Sequence, residues 1–368
     1  MDVKDLFLAL SFAVKFQSEK TLIKKLYNSC DNFVDIFTSN KNDFKLGISG
    51  EKYEKLNRLK IEVKKTIIKE IQSLLLEKEI KFVALCDKEY PQKLKEIFDA
   101  PPVLFYKGNI SNLNSLKHVA VVGTRNPTNY GIKISGKVSS LLSERNIVVV
   151  SGLASGVDTS AHIGAINNGR TIAVVGTGLD IVFPSENKQL TGEIVKLGGL
   201  IVSEYPPGIP ASPWNFPQRN RIISALSDAV VVIEGDLQSG AIITARFAIK
   251  QSKPLFALPG PIDSTVSNGP NILIKSGVAE LLTSVDDILE KIGESSQIKL
   301  DLKNDNEKLN SLSEKEKNIY KLLSSQSKDF EALIQETNLP VQELLQCLSM
   351  LELKGIVGKI SDGCYVQL

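Results

Sequence analysis

The chain has 368 residues and a mass of 40.3 kDa, too long for one small domain at about 100–200 residues each. Apolar residues make up 42% and charged residues 23%, which excludes wholesale disorder, and no apolar run is long enough for a membrane-spanning helix. The formal net charge of +2 says nothing about partners, so any nucleic-acid interface must be argued from where the cations sit.

The four cysteines (Cys30, Cys86, Cys347, Cys364) lack CxxC spacing, and the only histidines are His118 and His162. Neither a disulfide frame nor a zinc site follows. The opening Met1-Asp2-Val3-Lys4-Asp5 has no basic stretch of a secretion signal, so a cytoplasmic, membrane-free protein is expected.

Residues 1–78 read as a small helical domain. Ile61, Ile67-Ile68, Ile71 and Leu74-Leu75 repeat near a 3.6-residue period. The turn at 46–50 reads as an ordinary helix connection, or alternatively as half of a helix-hairpin-helix. Residues 81–116 read as extended, broken at Tyr90-Pro91 and Pro101-Pro102.

The composition changes in the region 79–292. Eighteen of the 25 glycines lie between Gly123 and Gly277, and every arginine except Arg58 lies between Arg125 and Arg246. Six apolar runs predict strands at 118–123, 147–151, 171–176, 200–203, 228–234 and 254–258, separated by segments of helical length. Continuous Val/Ile/Ala/Leu runs suit parallel strands covered on both faces. The fold class is therefore α/β: a Rossmann-like, doubly wound, mostly parallel sheet.

Residues 293–311 read as a polar linker and 312–368 as a winged-helix-like domain. Ser313 to Glu316 has a capping-box pattern, Asp329 caps a second helix, Pro340 opens a third, and 356–360 pairs with 364–368 across Asp362-Gly363.

Ligands of an open α/β sheet bind beyond the carboxyl ends of its strands. Here those ends carry Gly123-Thr124-Arg125, Ser151-Gly152-Leu153-Ala154-Ser155-Gly156, Gly176-Thr177-Gly178, Ser203-Glu204, Glu234-Gly235 and Pro259-Gly260, with Ser239-Gly240 opening a helix. Glycine lets backbone approach a ligand, and helix N-termini attract anions. With Arg125, Arg219, Arg221 and Lys188 nearby, a phosphate-rich ligand is expected. The dinucleotide fingerprint GxGxxG is missing after the first strand and no GxxxxGK[ST] loop exists, so no cofactor is expected. Glu204 and Glu234 are the carboxylates placed for catalysis or for holding loops. Trp214 is the candidate for stacking on a base or for packing as a lid.

Taken in order, these segments resemble the DprA/Smf family of bacterial DNA-processing proteins. The resemblance rests on Val121-Val122-Gly123-Thr124-Arg125-Asn126-Pro127, on 151–158, on Gly176-Thr177-Gly178-Leu179-Asp180, and on Pro184-Ser185-Glu186-Asn187. It continues through Phe216-Pro217-Gln218-Arg219-Asn220-Arg221, the 239–245 run and Ala257-Leu258-Pro259-Gly260, covering nearly all of 117–277. It implies a non-enzymatic protein that binds and protects single-stranded DNA, dimerises through its core, and loads the RecA recombinase during natural transformation. The implied DNA contacts are Thr124, Arg125, Ser151, Gly152, Ser155, Gly156, Gly178, Asn187, Lys188, Arg219, Arg221, Ser239 and Gly240. Gln238 stands where the family often has lysine, removing one basic contact.

The competing reading is a phosphoribohydrolase-type nucleotide enzyme on the same plan. It requires a glutamate after the fifth strand's glycine turn, and no acidic residue occurs between Asp236 and Asp263. A duplex-reading winged helix is disfavoured by charge, because 312–368 holds six lysines against eight acidic residues, a net of −2.

Overall fold

The computed structural model describes residues 1–15, 17–31, 33–38, 50–114, 116–294, 312–323, 328–337, 339–353, 357–359 and 364–367. The helix-hairpin-helix-like turn (except Gly50), the linker beyond Glu294 and the Asp362-Gly363 turn lie outside these residues. The chain forms two compact units, residues 1–295 and 296–368.

The first unit is built on a nine-stranded sheet. Its strands are β1 (Lys81–Ala84), β2 (Val103–Gly108), β3 (His118–Val122), β4 (Val148–Ser151), β5 (Thr171–Val175), β6 (Leu200–Ser203), β7 (Ala229–Val232), β8 (Leu255–Ala257) and β9 (Glu280–Leu281). They lie in the order β1-β2-β6-β5-β4-β3-β7-β8-β9. From β6 to β9 every pair is parallel, while β1 and β2 are antiparallel to each other and β2 is antiparallel to β6. All six predicted strands are present within two residues of the expected limits. The strands of the 81–116 stretch extend the sheet beyond its parallel core.

Two-residue alternation sorts the core into two faces. Ala120, Val122, Val150, Ile172, Val202, Val230 and Val232 face one side. That side is covered by α10 (Asn215–Leu226) and α11 (Gly240–Lys250). Val119, Val121, Val149, Ala229 and Val231 face the other. They meet α7 (Asn129–Glu144), α8 (Val157–Ile166) and α13 (Val285–Lys291). Burial on both faces is why these strands read as unbroken apolar runs.

The amino-terminal helices are α1 (Val3–Ala13), α2 (Gln17–Ser29), α3 (Phe33–Thr38), α4 (Glu51–Lys65) and α5 (Ile68–Glu77). Leu6, Phe7, Ile23, Phe37, Leu56 and Leu59 join the same core as the sheet. Phe12 meets Phe105 of β2 edge to face, with ring centres 6.2 Å apart. Residues 1–78 are thus continuous with the sheet in one compact unit. Three further helices of this unit are α6 (Gln92–Glu96), α9 (Lys188–Lys196) and α12 (Asn268–Lys275).

The second unit has helices Glu314–Leu323, Phe330–Thr337 and Val341–Leu353, then β10 (Val357–Lys359) paired antiparallel with β11 (Tyr365–Gln367). Its local signals operate as expected. The Ser313 amide donates to Glu316 at 2.8 Å and the Glu316 amide to Ser313 Oγ at 3.3 Å, closing a capping box. Asp329 accepts from the Ala332 amide at 2.7 Å.

Candidate functional site

The strand order reverses between β3 and β7. The crevice beyond the carboxyl ends at such a reversal is where open α/β sheets bind ligands. A cleft of about 640 Å³ opens there, walled by Gly123, Thr124 and Arg125 after β3, by Ser239 and Gly240 at the start of α11, and by Arg219 and Asn220 of α10. Phe183 and Phe216 form its rim, their rings 5.4 Å apart. An annex of about 80 Å³ adjoins it, bounded by Arg125, Gly152, Ser155, Phe183, Phe216 and Arg219.

Local hydrogen bonds fix the walls. The Thr124 amide donates to Glu234 O at 2.7 Å, and Thr124 O accepts from the Val157 amide at 3.2 Å. The Glu234 carboxylate accepts from the Thr128 amide at 2.8 Å and the Thr128 hydroxyl at 2.5 Å, tying the end of β7 to the start of α7. Gly156 has φ +82°, and a Cβ there would lie 2.6 Å from the carbonyls of Thr124 and Arg125, so only glycine lets the two loops touch.

Arg219 is the unusual group. It is 4% exposed, yet it makes no ion pair among the described residues. Its Nη1 donates to Gly152 O at 2.6 Å and also to Val174 O, and its Nε to Asn220 Oδ1 at 3.0 Å. Nη2 sits where a Cβ on residue 152 would fall, 2.6 Å away, so glycine is needed there for the guanidinium to reach the cleft floor. Burial pushes the guanidinium down to about 10, with the Asp158 charge opposing the fall. At neutral pH it remains a cation. Asp158 is the one carboxylate on the cleft wall, and burial pushes it up. Its Oδ2 accepts from the amides of Gly152 at 3.1 Å and Ala154 at 3.4 Å. Arg125 is exposed and lies over the Phe216 ring, 5.5 Å from its centre. A desolvated cation on the wall of a largely apolar cleft, with a second cation at the rim, is arranged to receive an anion.

The expected site residues divide into four groups. Thr124, Arg125, Gly152, Ser155, Arg219, Ser239 and Gly240 line the cleft or its annex. Ser155 Oγ bonds Glu186, and Asn220 Nδ2 donates to Gly240 O at 3.1 Å. Lys188 lines a separate cavity.

The remaining residues serve the frame. Ser151 Oγ donates to Val121 O at 2.7 Å, the Gly178 amide donates to Ile209 O at 2.9 Å, and Asn187 Nδ2 donates to Leu153 O at 2.9 Å. Gly156 acts through its backbone conformation.

Arg221, expected with the DNA contacts, is not brought to the cleft. It is 1% exposed and lies in a charged cluster away from the cleft. Its Nη2 bonds Glu204 at 2.7 Å and its Nε bonds Asp99 at 3.0 Å, while Lys20 of α2 also pairs with Glu204. Burial alone would lift the Glu204 carboxyl, but Arg221 and Lys20 hold it below its usual range. Two residues along a helix turn by about 200°, so Arg219 and Arg221 cannot share a face.

Both carboxylates placed for catalysis are therefore committed elsewhere, Glu204 to the cluster and Glu234 to the α7 cap. His162 is fully buried, with Nδ1 2.7 Å from Thr171 Oγ1. Trp214 is 79% exposed, which removes the lid reading. Sequence reasoning missed Asp158 and Asn220 as site residues. An acidic residue in the first turn of a helix after a glycine loop was the available signal for Asp158.

The fold and cleft define a Rossmann-like protein with an arginine-bearing switch-point crevice. The chain belongs to the DNA recombination-mediator protein A family, whose profile matches residues 81–293, and the DprA winged helix domain matches 304–363. It is 40% identical over 219 residues to DNA processing protein DprA of Bacillus subtilis, covering 59% of this chain and 73% of that protein. It is also similar to the X-ray structure of DprA from Streptococcus pneumoniae, with TM-score 0.62 and 33% identity over 79% of this chain and 98% of that one. A Helicobacter pylori DprA structure, described for its single-stranded DNA binding mode, matches with TM-score 0.53 and 31% identity over 59% of this chain and 98% of that one.

Proposed function

We propose that this chain binds single-stranded DNA along the carboxyl edge of its sheet and hands the strand to a RecA recombinase, without chemistry of its own. The observation that carries the reading is Arg219, a buried cation that forms no direct salt bridge among the described residues and has the buried Asp158 as its nearby counter-charge, beside Arg125 at the mouth of an open cleft. Such a site tracks a phosphate backbone, and Phe183 and Phe216 supply aromatic faces for bases. Arg125, Arg219, Ser155, Ser239 and Gly240 are the proposed contacts. The membership of a recombination-mediator family supports the hand-over to a recombinase, in DNA uptake by natural transformation and in recombination.

Homodimerisation through the core is part of the same proposal. Leu281 of the edge strand β9 and Val278 just before it are exposed, and Ile262 and Ile272 are exposed apolar residues as well. Apolar groups beside an open edge favour a partner surface. Two linked clefts hold one strand more tightly than either alone. A cytoplasmic location follows from the proposed partner. Among the described residues no helix is long and apolar enough to cross a membrane.

The test is fluorescence polarisation with matched single- and double-stranded oligonucleotides over a salt series. Single strands should bind more tightly, and affinity should fall as salt rises because phosphate contacts release counterions. Equal or tighter binding of duplex overturns the reading. Release of adenine from AMP would instead establish the phosphoribohydrolase alternative.

A further inference from the structure

A second cavity, of about 420 Å³, opens beside the cleft, and Phe183 lines both. Its walls are apolar, from Leu153, Val175, Leu179, Val195 and Ile201. Its polar lining is mainly cationic and comes from three separate elements: Lys78 at the end of α5, Lys107 on β2 and Lys188 at the start of α9. Among the described residues Lys107 and Lys188 form no ion pair, and Lys78 stands 3.8 Å from the exposed Glu77. The only acidic residue on the lining, Asp180, already accepts from the Gly208 amide at 2.9 and 3.1 Å through its two oxygens.

Apolar walls with cations at the mouth match a flat, uncharged ring flanked by anions. We infer that this cavity takes a nucleobase of the same strand that crosses the cleft, with Lys78, Lys107 and Lys188 receiving the adjoining phosphates. The inference rests on the single-strand reading above. Phe183 is then the divider between two base-holding compartments, and α5 and β2, which lie outside the parallel core, become part of the DNA path. The volume falls within the range of small-ligand pockets.

The experiment titrates oligothymidylates of increasing length against the full chain by fluorescence polarisation, over a salt series. Gly192 of α9 lines the cavity, and a Cβ there meets no atom within 4 Å, so Gly192→Trp is chosen to put an indole at the cavity. It should weaken binding about tenfold or more, the effect of losing one stacked base. The paired Lys78→Gln and Lys107→Gln substitutions, at an exposed and a half-buried position, should lower the log–log salt slope by about 1.4, for two lost phosphate contacts on a single strand.

If the lysine variant keeps both wild-type affinity and slope while Arg125→Ala weakens binding, the cavity is no subsite and the cleft stands alone. If the unaltered chain binds no single strand, the proposed function itself falls. Should Gly192→Trp prove unstable by thermal unfolding, the salt slope of the lysine variant decides by itself.

Discussion

Arg219 and Arg221 stand two residues apart on α10 and are committed to opposite sides of it. One forms the floor of the cleft through Gly152 O and Val174 O, and the other is locked to Asp99 and Glu204. Substitutions should therefore separate. Arg221→Ala leaves Glu204 buried with half its partners and should lower stability by about 3–5 kcal/mol in chemical denaturation. Arg219→Gln should instead show its main effect on affinity for single-stranded DNA. Equal losses of stability from the two would contradict this division.

At the cleft mouth, Arg125→Ala should weaken single-strand binding by about 1.5–3 kcal/mol, the scale of a charge-assisted contact. Arg58 is a poor control, because it bonds Glu19 and donates to Ala13 O at 3.0 Å. Arg170 is better, since it precedes β5 at the other end of the sheet and its guanidinium donates to Asn146 Oδ1 at 3.2 Å. Polarisation titrations should find Arg170→Ala close to wild type; matching losses would displace the site.

Acid should destabilise the fold through two buried histidines. Burial pushes His162 down to about 3 and His118 down to about 4. For His118 the neighbouring Lys93 adds to the fall. Thr171 Oγ1 donates to Val149 O at 3.1 Å and so accepts from His162 Nδ1, which leaves Nε2 buried without a partner to receive a second proton. Both folded values lie below the ordinary 6.5, so the unfolded chain binds protons first. Their contribution is complete above pH 6.5 and is lost as pH falls through that value towards 4 and 3. Each histidine adds at most about 1.4 kcal/mol per pH unit in that window. Urea midpoints at pH 7 and pH 5 measure it, and His162→Gln should reduce the slope.

Deleting residues 312–368 should leave single-strand affinity within about tenfold, or 1.4 kcal/mol. The segment carries a net charge of −2, and its third helix, Val341–Leu353, contains Glu343 and Glu352 with no lysine or arginine. Titration of the full-length and shortened chains on one oligonucleotide decides. A larger loss would assign DNA contacts to the winged helix.

The parallel core was legible because each strand is buried on both faces, so Val119 to Val122 and Val148 to Val150 carry no polar interruption. Strands β1 and β2 were read only as extended chain. Tyr90-Pro91 and Pro101-Pro102 break the pattern between them, and their pairing depends on β6, almost a hundred residues after β2 begins. The glycine loops and Arg125 could be read because close backbone approach and cation placement are local properties. The fate of Arg221 could not, because its partner Asp99, and Lys20 which shares Glu204 with it, come from distant segments. Nothing in the Arg219-Asn220-Arg221 run distinguishes the two arginines until the helix is given a side to bury.

The Glu234 cap on α7 has a consequence for how the cleft meets its ligand. By bolting the end of β7 to the loop after β3, it makes the reversal of strand order a rigid seam instead of a hinge. The crevice then keeps its width when empty, and the ordering entropy of association falls on the incoming polymer and not on the protein. Differences in affinity among nucleic acids should accordingly follow the stiffness of the strand being threaded: a flexible pyrimidine run settles easily into a fixed slot, and a self-stacked purine run must first be unstacked.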